Sequence, residues 1–173
     1  MPVNKQLALP AAAMVVVVVV SNILVQYPIN DWLTYGALTY PVAFFVTDLT
    51  NRAFGPAQAR RVVRWGFFCA VVLSVWVATP RIAFASGSAF LVAQLLDVFV
   101  FNRLRKESWW KAPLASSVIG SAIDTTLFFS IAFAGSGLPW LTWAYGDFAV
   151  KIGMALLMLA PYGGIVRGRF ARV

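Results

Sequence analysis

Apolar positions along this chain come in long unbroken runs, separated by short clusters of Gly, Pro, Asn, Asp and basic residues. Six runs can be drawn: Leu7 to Pro28, Trp32 to Asn51, Val62 to Thr79, Ala83 to Phe101, Ala112 to Ala134, and Leu141 to Tyr162. Each is close to the ~20 residues that carry a helix through a bilayer. None alternates with period two, which argues against a β-barrel. Lipid offers no partner to a free backbone N–H or C=O, so each run is expected to be helical. The breaks carry turn chemistry. Asn30-Asp31 is expected to turn tightly, Gly55-Pro56 to stop the second helix, Thr79-Pro80 to part the third from the fourth, and Gly135 to Pro139 the fifth from the sixth. The expected fold is an all-α membrane protein, a bundle of six transmembrane helices forming a single domain over residues 1–173.

Composition agrees. Of the 173 residues 61% are hydrophobic and 12% charged, about half the ~25% charged share of a soluble domain; mean hydropathy is +0.79. Six spans use about 120 residues, which leaves only short loops. The first run continues through Asn22, Leu24 and Val25 with no small-residue cleavage pattern, so it reads as a helix rather than a removed signal.

The net charge of +8 would suggest nucleic acid in a soluble protein. Here its placement is that of membrane orientation. Of the 14 Lys and Arg, twelve fall at Lys5, in the link after the second run (Arg52, Arg60, Arg61, Arg64), in the link after the fourth (Arg103, Arg105, Lys106, Lys111) and at the C-terminus (Arg167, Arg169, Arg172). Arg81 alone lies on the opposite side, and Lys151 is inside the sixth run. Basic residues favour the cytoplasm, so both termini are placed there, N-in and C-in. Lipid is the expected partner and nucleic acid is not. Trp65, Trp109, Trp110, Trp140 and Trp143 sit near span ends, where an amphipathic ring suits the headgroup layer. Cys69, the one cysteine, reads as a small buried hydrophobe. With no histidine, the commonest metal ligand is missing. No metal or cofactor is expected.

The informative residues are ionisable groups at membrane depth. Each costs at least ~2.5–3.5 kcal/mol near a helix centre, so each marks a pathway or a pair. Asp48 and Arg52 are spaced i, i+4, as are Asp147 and Lys151, and each pair can meet on one helix face. These four read equally as paired charges or as coupling and gating groups. Asp97 lies roughly 9 Å in from the cytoplasmic face and Asp124 roughly 20 Å in. Neither has a base at i±3 or i±4, so each is expected to be protonated, to face water, to bind solute or to pair across helices, and Lys151, at similar depth, is a candidate partner of that last kind for Asp124.

Phe90, Gln94, Asp97 and Phe101 share one face of the fourth helix. Two rings, an amide and a carboxylate can hold a flat heterocycle; alternatively the rings face lipid and Gln94 bonds a neighbouring helix. Ser117, Gly120, Ser121 and Asp124, with Thr125 beside them, line one face of the fifth helix, and their small size permits close packing. Asn22 and Gln26 form a polar stripe on the first. Pro41 removes a backbone bond from the second helix and leaves the Ala37 carbonyl free. The candidate solute-binding residues are Asn22, Gln94, Asp97, Asp124 and Lys151, and the candidate coupling or gating residues are Asp48, Arg52 and Asp147.

Several stretches together resemble one family. They are Thr47-Asp48-Leu49-Thr50 with Arg52, Phe54-Gly55 and Ala59-Arg60-Arg61; Gln94 to Val98 running into Val100-Phe101-Asn102-Arg103-Leu104-Arg105; Trp109-Trp110 with Ala112-Pro113; Asp124-Thr125 leading to Ile131-Ala132-Phe133; Asp147 with Lys151; and Ser21-Asn22 with Leu24-Val25-Gln26. This set resembles the queuosine precursor transporters, also grouped as vitamin uptake transporters, over nearly the whole chain. The resemblance implies a multi-pass protein of the bacterial inner membrane that imports 7-deazaguanine bases in nitrile or aminomethyl form. A secondary carrier, a facilitator and a substrate-binding subunit borrowing an external ATPase all fit, and a homo-oligomer stays open. Two rivals come from other classes. An intramembrane aspartyl protease would need Gly-x-Gly-Asp where this chain reads Ala144-Tyr145-Gly146-Asp147. A non-transporting assembly subunit would have its aspartates paired with bases in a dry bundle.

Overall fold

A computed structural model describes residues 5–170. The elements in order are α1 (Lys5–Leu24), β1 (Pro28–Asn30), β2 (Leu33–Thr34), α2 (Gly36–Thr39), α3 (Val42–Phe54), α4 (Pro56–Val77), α5 (Pro80–Leu104), α6 (Lys111–Phe133) and α7 (Trp140–Phe170). The predominantly helical architecture of a membrane protein is present. Among the described residues four helices are long and apolar enough to cross a bilayer: the Leu7–Leu24 part of α1, α5, α6, and Trp140–Gly168 of α7.

The second expected span is corrected. Trp32 to Asn51 is not one helix, because its first residues belong to a small antiparallel hairpin in which Pro28 faces Thr34 and Asn30 faces Leu33. Asn30 Oδ1 accepts the Trp32 N–H at 2.8 Å, closing the turn expected at Asn30-Asp31. The rest divides into α2 and α3 at Tyr40-Pro41. Proline supplies no N–H, and its ring opposes the carbonyl four residues back, so the helix breaks there.

The other boundaries shift both ways: α1 ends at Leu24, α4 at Val77 and α6 at Phe133, short of the expected Pro28, Thr79 and Ala134, while others extend. α4 begins at Pro56 and so includes Arg60, Arg61 and Arg64, which were expected in a link; α5 runs three residues beyond the expected run at each end; α7 continues through Pro161 to Phe170. Arg172 lies outside the described residues. α3 passes into α4 through one residue, Gly55, at φ 85°. Only glycine adopts that conformation freely, and Pro56 then starts the new helix where its missing N–H costs nothing. Pro80 does the same for α5 behind Thr79, whose side chain accepts the Ile82 N–H.

Antiparallel neighbours pack in chain order, α4 on α5, α5 on α6 and α6 on α7, while α1 lies along α4. Arg81, at the start of α5, donates to the Ile131 and Ala134 carbonyls at 2.7 and 2.6 Å and closes the last turn of α6. The hairpin sits on the same end of the bundle. Trp143 Nε1 donates to the Asn30 carbonyl at 3.1 Å, and Thr142 Oγ1 donates to that of Asp31. Trp143 is buried in this contact rather than placed at the rim. Cys69 is exposed on α4, against the expectation of burial; on an outward helix face of a membrane protein a small hydrophobe meets lipid instead of core.

Candidate functional site

The interior of the bundle holds two polar clusters. The first is built around Lys151 on α7, whose side chain is 2% exposed. Its Nζ donates to Asp124 Oδ2 at 2.7 Å, to Asp147 Oδ2 at 2.5 Å and to Thr125 Oγ1 at 3.0 Å. An ammonium has three protons, so its donor capacity is filled. The Asp147–Lys151 contact is the i, i+4 pair on one face of α7, and Asp124 and Thr125 reach it from α6. Thr125 Oγ1 donates in turn to Asp147 Oδ2 at 2.7 Å. Tyr40 Oη donates to Asp124 Oδ1 at 2.8 Å, and its ring centroid lies 5.0 Å from the ammonium, a cation–π distance. Tyr40 reaches this position because the break at Pro41 ends α2 there. Two carboxylates and one ammonium leave the triad with a formal charge of −1.

Above the triad, towards the hairpin, is a cavity of about 20 Å³ lined by Ser21, Asn22, Tyr40, Ser86, Asp124, Asp147 and Lys151 among others. Asn22 Nδ2 donates to Ser74 Oγ at 2.6 Å, and Ser86 Oγ has no partner among the described residues. Below the triad a second cavity, also about 20 Å³, is lined by Phe44, Asp48, Ser117, Ser121, Lys151 and Tyr162 among others. Each holds about one water. Lys151 lines both, so the ion triad is the partition between them.

The second cluster forms around the middle of α3, where Asp48 stands. Asp48 Oδ1 accepts from Ser116 at 3.1 Å and Oδ2 from Ser117 at 3.2 Å, both on α6. The Asp97 carboxyl, from α5, lies near Asp48. Ser116 is near both but gives its proton to Asp48, and neither Asp97 oxygen has a donor among the described residues. Gln94 Oε1 accepts from Thr47 at 2.5 Å while its Nε2 is unpartnered. Phe90 and Phe101, on the same face of α5, are buried, so that face packs inward rather than towards lipid.

The Asp48–Arg52 pair expected from spacing does not form. Arg52 Nη1 instead donates to the Arg105 carbonyl at 3.1 Å, and Arg105 Nη2 donates back to the Arg52 carbonyl at 2.8 Å. The carbonyls at the ends of α3 and α5 lack intrahelical partners, and each guanidinium satisfies the other helix's. Asp48 is occupied by the two hydroxyls.

Of the sequence candidates, Asn22, Asp124, Asp147 and Lys151 come together around the upper cavity. Asp48, Asp97 and Gln94 gather below, and Arg52 lies beyond them. The sequence reading did not single out Tyr40, Ser116 or Tyr162. Tyr162 is eleven residues, three turns, beyond Lys151 on α7 and so on the same face, which was a usable signal; Tyr40 was marked only by the proline after it. Among the described residues no group of His, Cys, Asp and Glu is arranged to hold a metal.

A multi-pass helical membrane protein with ionised side chains buried at its centre is the class that fold and site define. Residues 34–79 and 72–165 match the family described as "Putative vitamin uptake transporter". The chain is 38% identical over 159 residues to the "Probable queuosine precursor transporter" of Haemophilus influenzae, covering 77% of this chain and 68% of that one. It is 35% identical over 179 residues to the "Queuosine precursor transporter" of Escherichia coli, covering 87% and 81%. To the "Probable queuosine precursor transporter" of Bacillus subtilis it is 28% identical over 159 residues, covering 75% and 69%. No solved structure matches. The chain belongs to the vitamin uptake transporter family, and membership in a transporter family sets the protease reading aside.

Proposed function

We propose that this protein imports 7-deazaguanine precursors of queuosine across the bacterial inner membrane, as a secondary carrier or facilitator. The names of its relatives supply the substrate class, and one observation carries the mechanism: the buried Lys151–Asp124–Asp147 triad separates two small polar cavities. The topology proposed with it is six crossings with both ends cytoplasmic, α2 and α3 together making the second crossing and α4 the third.

A guanine-like edge carries adjacent N–H donors and a carbonyl. Carboxylates accept the first and an ammonium donates to the second. Asp124 and Lys151 offer this pair, with Asn22 across the upper cavity, and Asp147 holds Lys151 when the solute takes Asp124. An aminomethyl form adds a positive charge that the triad's net −1 favours. Neither cavity reaches the ~300 Å³ of a typical ligand site. The state described is therefore closed, and binding requires the helices around Lys151 to part. Gln94 and Asp97, taken from sequence as solute ligands, lie below the triad with Asp48.

The test is uptake of labelled precursor in proteoliposomes containing this chain alone, which also separates a self-sufficient carrier from a subunit that needs an external ATPase. Asp124→Asn and Lys151→Met are expected to lower uptake at least about tenfold, the equivalent of ~1.4 kcal/mol. Normally inserted variants that import like wild type would refute the site, and a wild type that imports nothing would refute the substrate.

A further inference from the structure

The Asp48–Asp97 pair is not explained by solute binding at the triad. Two carboxyl groups near each other, both buried, repel when ionised, and a buried pair of like charge needs a positive charge to persist. None of the described residues packed around it supplies one. α6 contributes only the hydroxyls of Ser116 and Ser117. From α7 come the Tyr162 hydroxyl and, across the cavity, Lys151, whose three protons are already given to other groups. Arg52 and Arg105, the nearest guanidiniums, are turned onto each other's backbone carbonyls. On α4, Arg60, Arg61 and Arg64 are exposed.

Two further observations point to a ligand. Both Asp97 oxygens lack a donor although the residue is 0% exposed. Independently, the Tyr162 hydroxyl is 1% exposed, lines the cavity that Asp48 and Ser117 share, and has no partner. The oxygens gathered there are the four of the two carboxyl groups and the hydroxyls of Ser116, Ser117 and Tyr162; Asp48, Ser117 and Tyr162 line the cavity, Asp97 does not, and Gln94 Nε2 in the same cluster is also unpartnered among the described residues. Hard cations take such oxygen ligands. The cavity, at about 20 Å³, excludes the solute and any ion with its hydration shell.

From this we infer that Asp48 and Asp97 form a binding site for one bare monovalent cation, H⁺ or Na⁺, which the carrier takes across together with its solute. The inference rests on the carrier reading above and makes the transport secondary active rather than facilitated. The cation neutralises one of the two carboxylates, so loading removes the repulsion that holds the empty site open to exchange.

The experiment uses the full chain purified in detergent micelles, its melting followed by tryptophan fluorescence. NaCl is titrated against choline chloride at constant ionic strength, and pH is lowered separately in Na⁺-free buffer. Wild type is expected to melt roughly 5–10 °C higher at a hundredfold excess of the cation over its dissociation constant, in the sodium arm if the ion is Na⁺ and only in the acid arm if it is H⁺. Asp97→Asn and Asp48→Asn should each lose that rise and start above cation-free wild type, because each already removes one charge of the pair. In proteoliposomes a gradient of the same cation should raise wild-type accumulation of labelled precursor. If wild type carries precursor but neither its melting nor its uptake responds to either cation, the inference is overturned and the carrier reading stands. A melting response in wild type with no precursor moved would sustain the cation site and overturn the proposed transport. Variants that keep the wild-type response would overturn the assignment to these two residues.

Discussion

Lys151→Met replaces the central ammonium with a side chain of similar length and no charge. Lys151 gives all three protons, at 2.7, 2.5 and 3.0 Å, to Asp124, Asp147 and Thr125. With it gone, Asp124 keeps the Tyr40 hydroxyl and Asp147 keeps the Thr125 hydroxyl, but two buried carboxylates face each other without a cation. Removing one partner of a buried ion pair costs about 3–5 kcal/mol, chiefly because the other charge stays buried and unpaired. Against a typical total stability of ~5–15 kcal/mol, that is a large share. For a chain of this size it corresponds to a melting temperature lower by roughly 6–20 °C. Asp147→Asn behaves differently: it leaves Lys151 with Asp124, brings the cluster from −1 to neutral, and should cost only about 1 kcal/mol through one weakened hydrogen bond. The triple variant Lys151→Met, Asp124→Asn, Asp147→Asn is neutral and should recover most of the single variant's loss. The assay is thermal melting of the purified protein in micelles at one pH and salt concentration. A Lys151→Met protein that melts with wild type, or a triple variant no better than the single, would refute the account of the triad as a compensated set of charges.

Two other predictions bear on packing and access. A Cβ at Gly120 would sit 2.7 Å from Phe44 Cε1 and 3.4 Å from the Ala93 carbonyl, so Gly120→Ala should overpack the junction of α3, α5 and α6 by about 1–3 kcal/mol in the same melting assay; an unchanged melting temperature would mean that Phe44 has room to turn. Arg52→Ala releases the clasp with Arg105 beside the lower cavity. In a Cys69→Ala background, a cysteine placed by Ser117→Cys should then react several-fold faster with an impermeant maleimide added from the cytoplasmic side, and equal rates would show that the clasp does not restrict access.

The long helices were legible because lipid imposes one solution on an apolar run. α1, α5, α6 and α7 follow from hydropathy and need no tertiary information. The second span misled because its composition is apolar whether or not it is helical. The outcome depended on local chemistry at both ends: the Asn30 side chain closing a turn, and Pro41 refusing a backbone bond. Within the site, contacts on one helix were half legible. The spacing of Asp147 and Lys151 is realised, whereas the equal spacing of Asp48 and Arg52 is not, because Ser116 and Ser117 on α6 and the Arg105 carbonyl after α5 compete for the two groups. Spacing states which contacts a helix permits. Which of them form is decided by neighbours that are far away in sequence, and Tyr40 meeting Asp124 across 84 positions is such a contact.

The distribution of charge weighs between a carrier and a static scaffold. A scaffold gains nothing from an unpaired acid in lipid, where each such group costs at least ~2.5 kcal/mol, and is stabilised when every carboxylate finds a base. Among the buried carboxylates of the described residues only those of the triad do so. Asp48 lies four residues before Arg52, close enough for an ion pair, and Asp97 eight before Arg105, yet both guanidiniums bind carbonyls. Among the described residues the bundle thus buries four carboxyl groups against one ammonium, an excess of one at the triad and two below it, and the triad and Asp48 each border a water-sized cavity. Such an excess is stable only if positive charge arrives from outside the chain. In the carrier proposed above a cationic solute and a coupling cation answer that need at one site each, whereas a static subunit would have to keep these carboxyls protonated.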